Sequence, residues 1–143
     1  MNSIKKTATI FEDVKINVKM KLSALWVAVM LCYIYCDFFS LFEPAHIEEI
    51  IAGKFGPFPT TQVALLGAAI FMAIPAVMVF LSLTLKPKAN RWANIILGVI
   101  YTVSMLIILR TGPWAYYIFL GIVEVILTAL IVWYAWKWPK QEG

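Results

Sequence analysis

The sequence predicts an all-α protein, a bundle of four transmembrane helices. Hydrophobic residues make up 62% of its 143 residues and charged residues only 14%, which lies outside the range of soluble globular proteins. The hydrophobic residues form four long stretches, and a bilayer core about 30 Å thick needs about 20 helical residues per crossing. Ten of the twelve lysine and arginine residues fall in alternate connecting segments, which favours an even number of crossings.

The predicted spans cover residues 22–42, 62–85, 92–110 and 114–136. We therefore expect residues 1–143 to form a single integral membrane domain, with residues 1–21 as a cytoplasmic arm. Scattered apolar residues in this arm favour an interfacial helix or an irregular segment, although the alternation over 14–22 is equally typical of a strand. No cleaved signal peptide is predicted, because the apolar stretch that follows is too long and lacks a small-residue cleavage site.

The longest connection joins the first two spans and is predicted to lie on the outer surface. Pro44 is suited to starting a helix and Gly53 to ending one, so residues 45–52 are expected to form a short helix. Residues 55–59, with two prolines and a glycine, then turn the chain back into the bilayer.

The positive charges predict the orientation of the bundle. The arm, the 86–91 loop and the tail carry ten of them, and only Lys54 and Arg110 lie on the opposite side. Because positive residues favour the cytoplasmic side, both termini are predicted to be cytoplasmic.

Two acids within the spans, Asp37 and Glu124, are costly to keep in a membrane. A charged acid at mid-membrane costs roughly 2.5 to 3.5 kcal/mol on insertion scales, so each needs a partner, water or a proton. Arg110, at the outer end of the third span, is the expected ion partner of Asp37. Asp37 is thus either a structural anchor or a functional group. For Glu124 a functional role is favoured over a structural one, because holding four helices together requires no acid at the midplane.

Helical spacing predicts which way these acids point. One small and polar stripe in the fourth span comprises Tyr117, Gly121, Glu124 and Thr128, and the opposite, lipid-facing side comprises Phe119, Ile122, Ile126 and Leu130. The corresponding inward stripe of the first span comprises Trp26, Met30, Tyr33 and Asp37. The Tyr33 hydroxyl is a candidate to hydrogen-bond to a ligand or to an acid.

The second and third spans contain further polar or small positions. Pro75 leaves the carbonyl of Phe71 without its usual helical donor, so a kink there either widens a pocket or is simply accommodated. Close helix approach is allowed by Gly67, Ala68, Ala69, Ala73 and Ala76. Interhelical hydrogen bonds are expected from the polar residues of the third span, which lie around Asn94, Gly98, Tyr101 and Thr102.

Several function classes find no support in the sequence. His46 lies among Glu43, Glu48 and Glu49, a pattern more typical of a solvated acidic surface than of a metal site. No nucleophile triad or phosphate-binding glycine loop is present, and the lysines form no basic run interleaved with aromatics. We predict no catalytic residues, metal, cofactor or nucleic-acid partner.

Four segments of the chain are distinctive: residues 66–70 (LGAAI), 89–96 (ANRWANII), 116–119 (YYIF) and 131–138 (IVWYAWKW). In these segments the chain resembles a family of small bacterial four-helix membrane proteins of unknown function. The resemblance implies a multi-pass protein of the bacterial inner membrane, with acids at the positions of Asp37 and Glu124. In size and span count the chain is also similar to DoxX-type membrane proteins, which implies nothing specific about function.

The first functional hypothesis is a protein that binds or carries a small cationic or proton-coupled ligand in an intrabundle pocket. Its candidate ligand-binding residues are Asp37, Glu124, Tyr33, Tyr101 and Arg110. It predicts an internal cavity with Glu124 on its wall. The alternatives are an accessory subunit, which meets a partner membrane protein or a second copy through an acid, and, less favoured, an enzyme acting on a lipid-soluble substrate.

Overall fold

Four long helices dominate the computed structural model, which describes residues 13–110 and 114–139. In chain order the elements are α1 (Val18–Ser40), α2 (His46–Ile51), β1 (Lys54–Phe55), β2 (Phe58–Pro59), α3 (Gln62–Thr84), α4 (Pro87–Ile108) and α5 (Ala115–Trp136). By length and composition α1, α3, α4 and α5 can each cross a membrane. The predicted all-α bundle of four apolar helices is confirmed.

Two helices begin earlier than their apolar stretches. The α1 helix starts four residues before predicted position 22, because the Asn17 side chain accepts a hydrogen bond from the Lys19 backbone N–H at 2.9 Å and caps it. Pro87 starts α4 five residues before position 92, since its missing N–H costs nothing in a first turn. The strand alternative over 14–22 is therefore wrong, because residues 13–17 are irregular and residues 18–22 belong to α1. The remainder of the arm, residues 1–12, lies outside the described residues.

The connection between α1 and α3 contains the expected short helix and an additional hairpin. The α2 helix begins at His46 rather than at 45, because Ala45 has a left-handed backbone with φ of 66°. Gly53, with φ of 75°, follows α2 as expected. The predicted turn over residues 55–59 includes two short strands, with Lys54 opposite Pro59 and Gly56 at φ of 56° in the turn.

The helices are not packed equally. The α1 helix packs against α3 and α5, and α4 packs against α5, whereas α3 and α4 touch far less. Gly98 marks the close approach of α4 and α5, because a Cβ atom there would lie 2.7 Å from Cγ2 of Val132. Gly121 is similarly crowded by Leu109. The helix pair α4 and α5 is thus the tightest part of the bundle.

The end of the bundle where α1 starts and α5 ends is called here the terminal end, and the opposite one, with α2, β1 and β2, the hairpin end. A buried polar network lies towards the terminal end. Asn94 Oδ1 accepts hydrogen bonds from Trp26 Nε1 at 2.7 Å and from Ser82 Oγ at 3.3 Å. Asn94 Nδ2 donates to Asn90 Oδ1 at 2.7 Å, and Asn90 Nδ2 donates to the Ser82 carbonyl at 2.6 Å. This network joins α1, α3 and α4, which confirms the interhelical role predicted for Asn94.

The half of α3 near the hairpin end is loosely packed. The buried residues of α3 are Pro75, Met78 and Ser82, so residues 62–74 contribute none. A Cβ atom at Gly67 would meet no atom of the described residues within 4 Å, so the close helix approach expected there is not made by them. An open groove of about 430 Å³ runs beside this half, lined by Phe58, Val63, Ala64, Gly67, Ala68, Phe71 and Met72.

The proline in α3 has a specific partner on α4. The Tyr101 hydroxyl donates a hydrogen bond to the carbonyl of Phe71, the acceptor that Pro75 cannot serve. The rings of Phe71 and Tyr101 also pack together, with centroids 4.6 Å apart. The interruption of α3 is therefore accommodated by a tyrosine, and the bond is one of few links between α3 and α4.

Candidate functional site

Glu124 lies near the middle of α5 and points into the bundle. It is nine residues beyond the start of α5 at Ala115, which places it about 14 Å along the helix axis. Its side chain is 0% exposed, and Gly121 and Thr128 on the same stripe are also buried. The inward orientation predicted for this stripe is confirmed, as is the exposure of the opposite face, with Phe119 and Ile126 at 67% and 54%.

The carboxyl group of Glu124 has no hydrogen-bond partner. Among the described residues, its two oxygens are the only buried side-chain nitrogen or oxygen atoms in that state. The nearest polar residue on its stripe, Thr128, donates to the carbonyl of Glu124 at 2.9 Å and lies 2.8 Å from Thr102 Oγ1. Because buried polar groups are almost always hydrogen-bonded, an orphaned carboxyl group is a marker of function or strain.

Within the part of the chain that the structure describes, the electrostatic neighbours of Glu124 include no cation. Its carboxyl group interacts with that of Asp37 and with Tyr33, Cys36 and Tyr117. None of these side chains carries a positive charge. A carboxylate in apolar surroundings without a counter-charge is costly, so this group is either protonated or balanced by a cation from outside the chain.

Asp37 does not share the inward face predicted for it. The buried positions of α1 include Trp26, Tyr33 and Cys36, while Met30 is half-buried and Asp37 is exposed. Asp37 follows Cys36 by one residue, which rotates it by about 100° from that face. Its carboxylate accepts no hydrogen bond from the described residues, although its backbone carbonyl accepts one from Ser40 Oγ at 2.6 Å.

The expected ion pair between Asp37 and Arg110 is not formed between these two described residues. Arg110 is exposed just beyond α4, where its backbone N–H donates to Ile107 at 3.2 Å. The physical reason is the packing order: α1 packs closely against α3 and α5. Its contacts with α4 described above are made by the Trp26 side chain, eleven residues before Asp37.

The two candidate tyrosines differ in what their hydroxyl groups do. Tyr101 donates to the Phe71 carbonyl and its ring meets that of Trp26 edge-on at 5.7 Å, so its observed contacts are structural. Tyr33 is 8% exposed, lies within electrostatic range of both Glu124 and Tyr101, and has no hydrogen bond to the described residues. Of the two, Tyr33 is the one whose hydroxyl group has no hydrogen bond to the described residues and lies within electrostatic range of Glu124.

Polar side chains continue from Glu124 towards the hairpin end. Cys36 and Tyr117 both lie within electrostatic range of Glu124, and also of Asp37 and Glu43. Glu43 in turn accepts a hydrogen bond from the Tyr116 hydroxyl, which ties the start of α5 to the segment after α1. This set, hereafter the polar track, consists of Glu124, Tyr33, Cys36, Tyr117, Asp37, Glu43 and Tyr116.

Sequence reasoning missed three members of the polar track. Cys36 continues the 3-and-4 spacing of Trp26, Val29 and Tyr33, so a closer reading of that spacing would have found it. Glu43 looked like part of a solvated acidic surface. No local signal joins it to Tyr116, which lies 73 residues further along the chain.

Comparison with known proteins gives a family and no function. A family model described as "Family of unknown function (DUF6326)" matches residues 8–143, nearly the whole chain. Comparison with curated proteins and with solved structures gave no match. The match confirms the expected family of unknown function, and the four apolar helices agree with the expected membrane fold. The chain belongs to the DUF6326 family.

Proposed function

We propose that this protein binds a proton or a small cationic ligand at Glu124, as part of a binding or carrier function of the membrane bundle. The observation that carries the proposal is the fully buried carboxyl group without a hydrogen-bond partner. A bound proton would convert Glu124 to its neutral form, and a bound organic cation would supply the positive charge that the surrounding side chains lack.

The polar track supports access to Glu124 from the hairpin end. Besides Glu124 itself, its members are two acids, a thiol and three tyrosines, which are groups that exchange or relay protons. In contrast, the polar network around Asn94 closes the bundle towards the terminal end with satisfied hydrogen bonds. An asymmetric bundle of this kind favours exchange of Glu124 with the side of the membrane that the hairpin end faces.

The packing limits the size of the ligand. The hypothesis from sequence expects a cavity wall at Glu124, but its side chain has no exposed surface and lines neither the groove beside α3 nor the groove at the terminal end. A proton needs no cavity, whereas a larger cation requires the hairpin end to open. The loose half of α3, residues 62–74, is the element best placed to move.

Dicyclohexylcarbodiimide tests the proton-binding state directly, because this apolar reagent reacts with protonated carboxyl groups inside membranes. We expect an adduct on Glu124 in the purified protein, located by peptide mass spectrometry. The adduct should disappear in Glu124→Gln and persist in Glu49→Gln, which removes an exposed acid of α2. Labelling of Asp37 alone, or of neither acid at any pH, would refute a protonated Glu124.

A second experiment tests the cationic ligand. Thermal stability of the detergent-purified protein is measured with a graded series of primary alkylamines and tetraalkylammonium ions. Selective binding to the folded state raises stability by mass action, so a bound cation should raise Tm in wild type and in Glu49→Gln but not in Glu124→Gln. If the cations change Tm equally in all three proteins, or in none, Glu124 does not bind an organic cation. Proton binding at Glu124 is then tested by the carbodiimide experiment alone.

A specific observation also favours the accessory-subunit alternative. Asp37 is exposed on α1, without a partner among the described residues, at a depth where a second membrane protein could supply a cation. This alternative predicts that Asp37→Asn disrupts a complex extracted from native membranes while leaving the isolated chain stable. A complex of unchanged size in that variant, measured by native electrophoresis, would contradict it.

We propose the bacterial inner membrane as the location, on two grounds. The resemblance noted from the sequence implies it, and the concentration of lysine and arginine at the terminal end follows the distribution that bacterial inner-membrane proteins show.

A further inference from the structure

A second, larger groove lies at the terminal end, far from Glu124. It has a volume of about 960 Å³ and is formed where three separate segments meet. These segments are residues 15–19 at the start of α1, the first turn of α4 and the residues that follow α5. A volume of this size is in the range of small-ligand sites.

Among the described residues, the wall of this groove carries four positive side chains and no acid. They are Lys15, Lys19, Lys88 and Arg91. Lys19 Nζ donates to the Leu85 carbonyl at 2.8 Å and Arg91 Nε donates to the Ala135 carbonyl at 3.2 Å. Each keeps further N–H donors, since an ammonium group has three and a guanidinium group five.

The two other cations are less engaged. Lys15 and Lys88 are exposed, and within the described residues neither forms a hydrogen bond or an ion pair. Lys19 and Arg91 are thus the cations that hold the groove together, and Lys15 and Lys88 are the cations available to a ligand.

Helix orientation adds to the positive potential of the groove. Both α1 and α4 begin at its wall, so the positive ends of two helix dipoles point to it. At the start of α4, Lys86 provides no side-chain cap and Pro87 provides no N–H, which leaves the following backbone donors for another acceptor. The groove is therefore built to receive an oxyanion.

The position of the groove indicates which oxyanion. It lies where α1 and α4 begin and α5 has ended, which is the level of lipid headgroups for helices that cross a bilayer. Trp92, 50% exposed, and Trp138 flank it, and tryptophan is enriched at that level of the membrane. We propose that this groove binds the phosphodiester headgroup of an anionic phospholipid. The proposal is independent of the function proposed for Glu124.

The test uses phosphatidylglycerol and phosphatidylcholine in mixed micelles with the full chain, with binding followed by thermal shift and by native mass spectrometry. We expect phosphatidylglycerol to bind more tightly than phosphatidylcholine, and this preference to weaken as salt is added. The double variant Lys15→Gln with Lys88→Gln should bind phosphatidylglycerol about thirtyfold more weakly, because each of the two lysines near an anionic headgroup contributes about 1 kcal/mol. Both positions are exposed, so the variant should fold.

The matched control removes the same charge elsewhere. Lys54 lies in β1 at the hairpin end and Lys137 lies over the Trp133 ring at 3.9 Å, outside the groove. Lys54→Gln with Lys137→Gln should keep the affinity of wild type. Equal losses in both double variants, or no preference for phosphatidylglycerol over phosphatidylcholine, would overturn the proposal. Equal binding of soluble glycerophosphate would overturn the assignment to a lipid.

Discussion

At the scale of single residues, Glu124 differs from the other buried polar groups in what surrounds it. Asn94 uses its amide oxygen and nitrogen in bonds to three other side chains, and Thr128 bonds to α5 and to Thr102. Glu124 receives neither a donor nor a positive charge from the described residues. Since an unsatisfied buried polar group destabilises a fold, its presence is best explained by a function that needs it.

This reasoning predicts that Glu124→Met stabilises the protein in the absence of ligand. Methionine has a similar volume and leaves no polar atom unsatisfied, so the free energy of unfolding should rise by about 1–3 kcal/mol. The gain is measured by denaturant or thermal unfolding in detergent. A loss of stability would show that the Glu124 carboxyl group is satisfied in solution, which would remove the main support for the proposed site.

Asn94→Leu is the matched control for that experiment. Asn94 is also 0% exposed, but its partners on α1, α3 and α4 would lose their bonds. The control should therefore destabilise the protein, by about 1–3 kcal/mol for each partner left unsatisfied. If the free energy of unfolding rises in Glu124→Met and falls in Asn94→Leu, the Glu124 carboxyl group lacks the hydrogen-bond partners that the Asn94 amide has.

The two acids show which parts of the candidate site could be predicted from the sequence. The stripe around Glu124 was predictable because polar and small residues repeat there at helical spacing over three turns. Asp37 was placed on the wrong face, because Trp26, Met30, Tyr33 and Asp37 fit helical spacing nearly as well as the set that ends in Cys36. The choice between two such neighbouring stripes depends on the contacts of α1 with α3 and α5, which the sequence does not contain.

At the scale of helices, one backbone carbonyl of α3 depends on a side chain of α4 for its hydrogen bond. Pro75 removes a donor within α3, and the Tyr101 hydroxyl replaces it at the Phe71 carbonyl. Tyr101→Phe should therefore cost about 1–3 kcal/mol, because the carbonyl then has no donor. In a Pro75→Ala background this cost should fall, since the alanine supplies the helical N–H. A double-mutant cycle of unfolding free energies measures the coupling, expected to be at least about 0.5 kcal/mol.

An equal cost of Tyr101→Phe in both backgrounds would show that the hydroxyl group does not stabilise the protein by replacing the donor that Pro75 removes. Its ring contacts with Trp26 and Phe71 are retained in the phenylalanine variant, which makes the hydroxyl group the only variable. Ser82→Ala, at another buried position of α3, provides a control whose cost should not change on Pro75→Ala.

Helix boundaries were predicted less well than helix existence. Hydropathy identifies the apolar stretches, but α1 and α4 each begin with a polar turn that includes Lys19 or Lys88. Long lysine side chains let these turns stay helical at the edge of a membrane, because the charged ends reach the interface. The hairpin of β1 and β2 was missed for a different reason: two-residue strands have no periodicity to detect.

At the scale of the whole molecule, the two ends of the bundle differ in composition and in packing. The terminal end combines the cationic groove with the satisfied network around Asn94. The hairpin end combines the polar track with the loose half of α3, residues 62–74. A bundle fixed at one end and loose at the other would expose Glu124 to one side of the membrane only, so the direction of any exchange depends on how the protein is oriented.

The distribution of positive residues predicts that orientation, with the terminal end in the cytoplasm. We expect a membrane-impermeant maleimide, applied to intact bacteria, to label Glu49→Cys in α2. Lys137→Cys, just beyond α5, should react only after the membrane is permeabilised. Both positions are exposed, and Cys32 and Cys36 are first replaced by alanine so that each variant carries a single thiol. The reverse labelling pattern would place the hairpin end in the cytoplasm, and Glu124 would then exchange with that compartment.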